Sequence, residues 1–142
     1  MKDPLLEPIR INGMEVKNRI CMPAIHMNMC RNFEVTDPLI EFYAERARGG
    51  AGMITVGFAT VDEYSGSPAN IGAHGDEFIP GLAPLAGAIK REGTRAVVQI
   101  NHAGRYNRSF FLQGRQTVAP SALRSSAPSA RRWEWISRSW CA

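Results

Sequence analysis

Between Ala96 and Arg105 the chain reads AVVQINHAGR, a short apolar stretch of strand character that runs straight into Gln99, Asn101, His102, Gly104 and Arg105. Two carboxamides, an imidazole and a guanidinium bring together donors, acceptors, a group of the type that titrates near neutral pH and a fixed positive charge. An ordinary strand end has no need of so many polar groups. A set like this can orient a polar ligand and stabilise charge that develops on it. Two earlier apolar segments, residues 19–25 and 51–61, end in a comparable way.

The elements that must position these groups follow from pattern. Asn12-Gly13, flanked by Ile9-Arg10-Ile11 and Met14-Glu15-Val16, predicts an N-terminal hairpin, because both central residues tolerate positive φ. Residues 19–25 (RICMPAI) form an apolar run too short for a helix, and predict a buried strand that ends near Pro23. Thr36-Asp37-Pro38 supplies a capping side chain and a proline for the first helical position. Ile40, Tyr43, Ala44 and Ala47 then recur at helical spacing until Gly49-Gly50. Ala51–Val61 is a continuous apolar run with β-branched residues, as in a strand covered on both faces. A Gly-, Ser-, Pro- and Asp-rich loop follows, then a second helix over Phe78–Glu92 with Gly93 as its stop, then a strand over Thr94–Ile100. Strand, helix, strand, helix, strand predicts right-handed crossovers in a parallel sheet. In barrels built this way, polar groups at the C-terminal strand ends face the active site and the opposite ends serve stability.

Composition narrows the function classes. The 142 residues are 44% hydrophobic, enough for one core, and no apolar run approaches the ~20 residues of a membrane span. The N-terminal Met1-Lys2-Asp3-Pro4 has no secretory h-region, so a cytoplasmic location is expected. Cys21, Cys30 and Cys141 form no CxxC pair and are odd in number, against a disulfide framework or a thiolate metal site. His26, His74 and His102 lack metal-ligand spacing. The net charge of +4 does not point to nucleic acid, because residues 124–142 hold four arginines against one glutamate. The same segment contains all three tryptophans and five serines. That abrupt change after Leu123 predicts two parts: residues 1–123, and an aberrant tail over 124–142, frameshifted or disordered.

The segments KNRICMPAIHM, FYAERARGGAGMITVG, VVQINHAGR and VAPSAL, in this order and spacing, resemble the N-terminal third of the old yellow enzyme family, the FMN-dependent NADH:flavin oxidoreductases. Within it, Ile25-His26 is most similar to the branch of 2,4-dienoyl-CoA and enoate reductases. The resemblance implies an α/β fold, here an incomplete (β/α)8 TIM barrel of a hairpin, about three parallel strands and two helices. It implies FMN as cofactor, NAD(P)H as reductant and a small enone or enoyl substrate.

Residue by residue, the resemblance lays Pro23, Ala24, Ile25 and His26 along the reactive edge of the flavin. His26 reads two ways, as a polariser of flavin or substrate carbonyl and as a satisfied loop histidine. Gln99 matches a glutamine whose amide pairs with the flavin pyrimidine edge; alternatively it is a polar group satisfied in the barrel interior. Gly57 and Phe58 fall where the family places a small residue against the ring, and Phe58 departs from that pattern. His102 and Arg105 match a family turn, as loop-positioning or as ligand-contacting residues. The family's substrate-binding pair on strand four, its proton-donating tyrosine and its phosphate-holding arginines correspond to sequence beyond residue 142. A catalytically inactive, truncated fragment or interaction module is therefore the competing expectation, with self-association through open sheet edges.

Overall fold

The computed structural model describes residues 3–108 and 110–120, which divide between two compact units, 1–103 and 104–142. The change of composition beyond Leu123 lies outside the described residues.

The first unit opens with a hairpin, β1 (Ile9–Ile11) and β2 (Met14–Val16), turned through Asn12 at φ 52°. β3 (Cys21–Met22), α1 (Asp37–Arg48), β4 (Met53–Thr60), β5 (Ile71–Gly72), α2 (Ile79–Arg91) and β6 (Arg95–Asn101) follow. β4 is central and every strand paired to it is parallel. β6 runs along it from Met53↔Arg95 to Thr60↔Asn101, while β3 meets its start and β5 its end. A strand has two edges, so β3 and β5 share the one that β6 leaves.

Both helices arise as their spacing requires. α1 buries Leu39, Tyr43, Ala44 and Ala47, and α2 buries Leu85, Ala88 and Ile89. Leu39, Tyr43, Ala47, Leu85 and Ile89 pack with Ile54, Val56, Ala59 and Ile71 of the sheet; each buried Leu, Ile or Val side chain among them contributes about 1.5–3 kcal/mol. Side chains at paired positions of neighbouring strands point the same way. Ala96 and Val98 of β6 therefore point to the same side of the sheet as Ile54 and Val56, their register partners, although Val98 is left exposed there, and Gln99 points to the opposite side. Among the described residues, no helix is long and apolar enough to cross a membrane.

Three details differ from the sequence-based expectation. The strand over 19–25 is reduced to Cys21–Met22, with one further parallel bridge at His26↔Gly57, because Pro23 has no N–H to give to a ladder. Thr36 does not cap α1 with its side chain: its hydroxyl donates instead to the Met29 carbonyl at 2.6 Å, and Pro38 is the second helical residue. The loop after β4 contains β5 and a short 3-10 turn over Asp76–Phe78; two residues carry too little periodicity to announce a strand.

Candidate functional site

The C-terminal half of β4 departs from regular pairing at one place. Val56 opposes Val98 and Ala59 opposes Ile100, so β4 places Gly57 and Phe58 where β6 has Gln99 alone. Such a β-bulge re-aims side chains and is over-represented beside active sites. The Gly57–Phe58 peptide is cis. From the helix layer the fully buried Tyr43 donates its hydroxyl to the Gly57 carbonyl at 3.4 Å, which anchors the bulge on its covered side.

Glycine at 57 is required by close approach. A Cβ there would lie 2.9 Å from the Cβ of Ala24 and 3.2 Å from Oε1 of Gln99. The segment after β3 and the strand β6 thus close on the same atom from two sides. His26 continues the β3 edge as the bridge partner of Gly57. Its ring lies 5.0 Å from that of Phe58, and its Nε2 is hydrogen-bonded to Nδ2 of Asn70. Ala24, His26, Gly57, Phe58 and Gln99, named from sequence, are brought together; Pro23 and Ile25 are exposed on either side of Ala24. The Gln99 side chain is exposed and has no hydrogen-bond partner among the described residues. A free carboxamide beside a backbone with no Cβ suits a flat ring that presents donors and acceptors along one edge.

Around these groups the structure adds residues that pattern alone does not reveal. Asn70 is 2% exposed and belongs to a loop with no periodic signal. Tyr43 reads in sequence as ordinary core, and the role of its hydroxyl becomes visible only with the bulge. At the ends of β4 and β6, His102 Nε2 lies 3.5 Å from Oδ2 of Asp62, and the Ala103 N–H donates to the Ser65 carbonyl at 2.7 Å. Ser65 in turn accepts from the Val61 and Asp62 N–H groups and donates to the Asp62 carboxylate. His102 thus joins a network that ties two strand ends together. Arg105 belongs to the second unit, where its guanidinium reaches the Tyr106 hydroxyl at 3.0 Å and Gly104 takes φ 57°. Behind His26 a small cavity is lined by Met29, Cys30, Leu39, Phe58 and Asn70. Burial pushes the Cys30 thiol up to about 11, so it is a neutral, unreactive group at physiological pH.

The sequence profile described as the NADH:flavin oxidoreductase / NADH oxidase family matches residues 4–133. The chain belongs to that family. The match runs past Leu123, where the composition changes. Among relatives, the chain is 45% identical over 121 residues to a metal reductase of Desulforamulus reducens, covering 85% of this chain and 18% of that protein. It is 42% identical over 124 residues to an NADH:fumarate oxidoreductase of Klebsiella pneumoniae, covering 84% of this chain and 13% of that one. A solved complex of 2-naphthoyl-CoA reductase with 2-naphthoyl-CoA superposes with a TM-score of 0.78 at 32% identity, covering 87% of this chain and 21% of that one. An old yellow enzyme homologue from Zymomonas mobilis superposes with a TM-score of 0.75 at 31% identity, covering 89% and 35%. The chain therefore spans less than a fifth of the length of the metal reductase and of the NADH:fumarate oxidoreductase, and its fold is part of the (β/α)8 barrel of these NADH:flavin oxidoreductases. Flavin and nicotinamide chemistry come with the family, and the Gly57 cradle, the Gln99 amide and the His26 ring fit a flavin.

Proposed function

We propose that the cluster at the C-terminal ends of β3, β4 and β6 is the ring-binding part of an FMN site in an ene-reductase of the old yellow enzyme type. The observation that carries this reading is the glycine at 57, whose missing Cβ lets Ala24 and the Gln99 amide converge on one bulged stretch of backbone at the strand ends. FMN, when bound, supplies hydride transfer from NAD(P)H through its N5 to the β-carbon of an α,β-unsaturated carbonyl compound. The chain's own residues hold and orient. Gln99 offers a donor and an acceptor to the pyrimidine edge. Pro23, Ala24 and Ile25 lay a segment of backbone along the ring, and Gly57 and Phe58 form its floor. His26 is the one catalytic candidate: its N–H donates to a carbonyl oxygen of flavin or substrate, where charge accumulates during reduction.

The test is flavin titration of the 142-residue chain followed by flavin absorbance and fluorescence. Because these strand ends address the ring, and phosphate sites of such barrels are generally built after strands seven and eight, riboflavin and FMN are expected to bind equally, and more weakly than micromolar. Gln99→Leu should abolish the spectral change. Equal titration curves for Gln99→Leu and the parent chain would remove the ring-site reading.

A second reading, that the chain acts by associating with another copy of itself, is favoured by the outer edge of β6. Among the described residues β6 pairs with β4 alone, and Val97, Val98 and Ile100 are 38%, 49% and 52% exposed. An unpaired apolar edge is a template for strand addition. Sedimentation of the chain across a concentration series decides it: a single monomeric species throughout excludes this reading.

A further inference from the structure

We propose that Asn70 is a positioning residue that holds His26 as its neutral Nδ1–H tautomer, and so decides which ring nitrogen is offered to a ligand. The orientation of the Asn70 amide is determined by its other partner. Its Oδ1 accepts the Ser67 N–H at 2.6 Å; turning the amide over would set Nδ2 against that N–H, donor against donor. Nδ2 therefore faces His26 and donates to Nε2. A ring nitrogen that accepts a hydrogen bond carries no proton, and the proton of a neutral imidazole then resides on Nδ1. Free histidine prefers the opposite tautomer, so the arrangement is imposed by the protein. Asn70 can impose it because it is almost fully buried, held at both ends of its amide, and seated in a loop whose Ala69 carbonyl accepts the Cys30 N–H at 3.2 Å. Phe58 packs against the imidazole and restricts its rotation.

The remaining polar atom of the ring, Nδ1–H, has no partner among the described residues. It can only donate. The ligand group that it recognises is therefore an acceptor lone pair, such as a carbonyl oxygen or an unprotonated ring nitrogen, and never an N–H. That this acceptor belongs to flavin or enone rests on the function proposed above; the tautomer itself does not.

Long-range proton–nitrogen correlation spectra of the 15N-histidine-labelled full chain at alkaline pH read the tautomer directly. The chain has three histidines, and His26→Gln assigns the signal. The expected spectrum places His26 Nε2 among unprotonated and Nδ1 among protonated nitrogens. Asn70→Asp exchanges the donor for an acceptor and should move the proton to Nε2, and Asn70→Ala should return the ring to the preference of free histidine. An Nε2–H tautomer in the parent chain overturns the proposal whether or not either variant folds. Riboflavin added to the same sample tests the other reading separately: an unmoved Nδ1 signal at saturating ligand counts against His26 as a flavin contact and leaves the tautomer result standing.

Discussion

The two ends of one small sheet are built from similar parts and differ in what those parts are left to do. At the N-terminal end of β4, Gly52 has no room for a side chain, since a Cβ would lie 2.6 Å from the Asn18 carbonyl oxygen and 3.0 Å from Val16. At the C-terminal end Gly57 is confined too, though less tightly, by Ala24 at 2.9 Å and Gln99 at 3.2 Å. Each end also has a buried asparagine, Asn18 and Asn70. At the N-terminal end the buried polar groups are bonded within the protein. Asn18 donates to the Gly50 carbonyl at 2.7 Å and accepts the Ile20 N–H at 3.0 Å. Thr94 donates to the Ala51 carbonyl and Lys17 to that of Glu92. At the C-terminal end Asn70 is satisfied, but its neighbours are not: the His26 Nδ1–H and the Gln99 amide have no hydrogen-bond partner among the described residues. The same close packing therefore serves stability at one end and presents unpaired donors and acceptors at the other, the division of labour expected of a parallel barrel.

The largest expected effect comes from one methyl group placed at each end. Gly52→Ala forces its Cβ against backbone, which cannot swing aside, and overpacking of that kind costs about 1–3 kcal/mol. Gly57→Ala meets the Ala24 methyl and the far end of a flexible glutamine, so its stability cost is the smaller of the two. Flavin binding should reverse the order. Urea melts of both variants beside riboflavin titrations check the pair, and a Gly57→Ala chain that binds riboflavin like the parent while melting as early as Gly52→Ala would erase the contrast between the ends.

A middle-sized effect is expected at Tyr43, which links the core to the bulge. Tyr43→Phe keeps the packing and removes one hydrogen bond, a loss of about 0.5–1.5 kcal/mol. With its carbonyl released, Gly57 should also hold the bulge less well. Faster amide exchange at Phe58 and Ala59 than at Ile54 and Thr55 would show that the loss is local to the C-terminal end, whereas uniform acceleration along β4 would mean that Tyr43 is ordinary core.

The division between the ends also explains which features were legible in the sequence. β4, β6 and both helices carry a sustained apolar run or helical period over seven or more positions, and their bounds follow closely from that pattern and from Gly49 and Gly93. Gln99 stands out because it opens a dense set of polar groups at the end of an apolar run, whereas Gly57 and His26 were legible only through the resemblance to the old yellow enzyme family. Asn70 gave no such signal: it lies among Gly, Ser, Pro and Ala, where any polar residue looks like ordinary loop. Its significance depends on a partner 44 positions away, brought near by the pairing of β3 and β5 to the same edge of β4. Thr36 failed as a cap for the reverse reason. Its hydroxyl found the Met29 carbonyl, a tertiary acceptor that local sequence does not disclose.

The smallest effect separates the ends by pH. The Cys30 thiol behind His26 is raised from 9.0 to about 11 by burial, and burial also raises the Tyr43 phenol. Between those two thiol values the unfolded chain has lost a proton that the folded chain retains. The folded state then binds more protons, so stability falls as pH rises and the loss levels off once the folded thiol ionises. Urea midpoints measured from about pH 8 to about pH 11 should therefore begin to fall above 9.0 and continue downward as the tyrosine joins. Cys30→Ala removes the first part of that slope and keeps the second, and adding Tyr43→Phe removes the second. Both groups pack beneath the C-terminal strand ends, Cys30 beside Asn70 and Tyr43 against Gly57. If the double variant retained the full alkaline slope, the titrating groups would lie elsewhere, and the C-terminal end would lose its claim to be the pH-sensitive one.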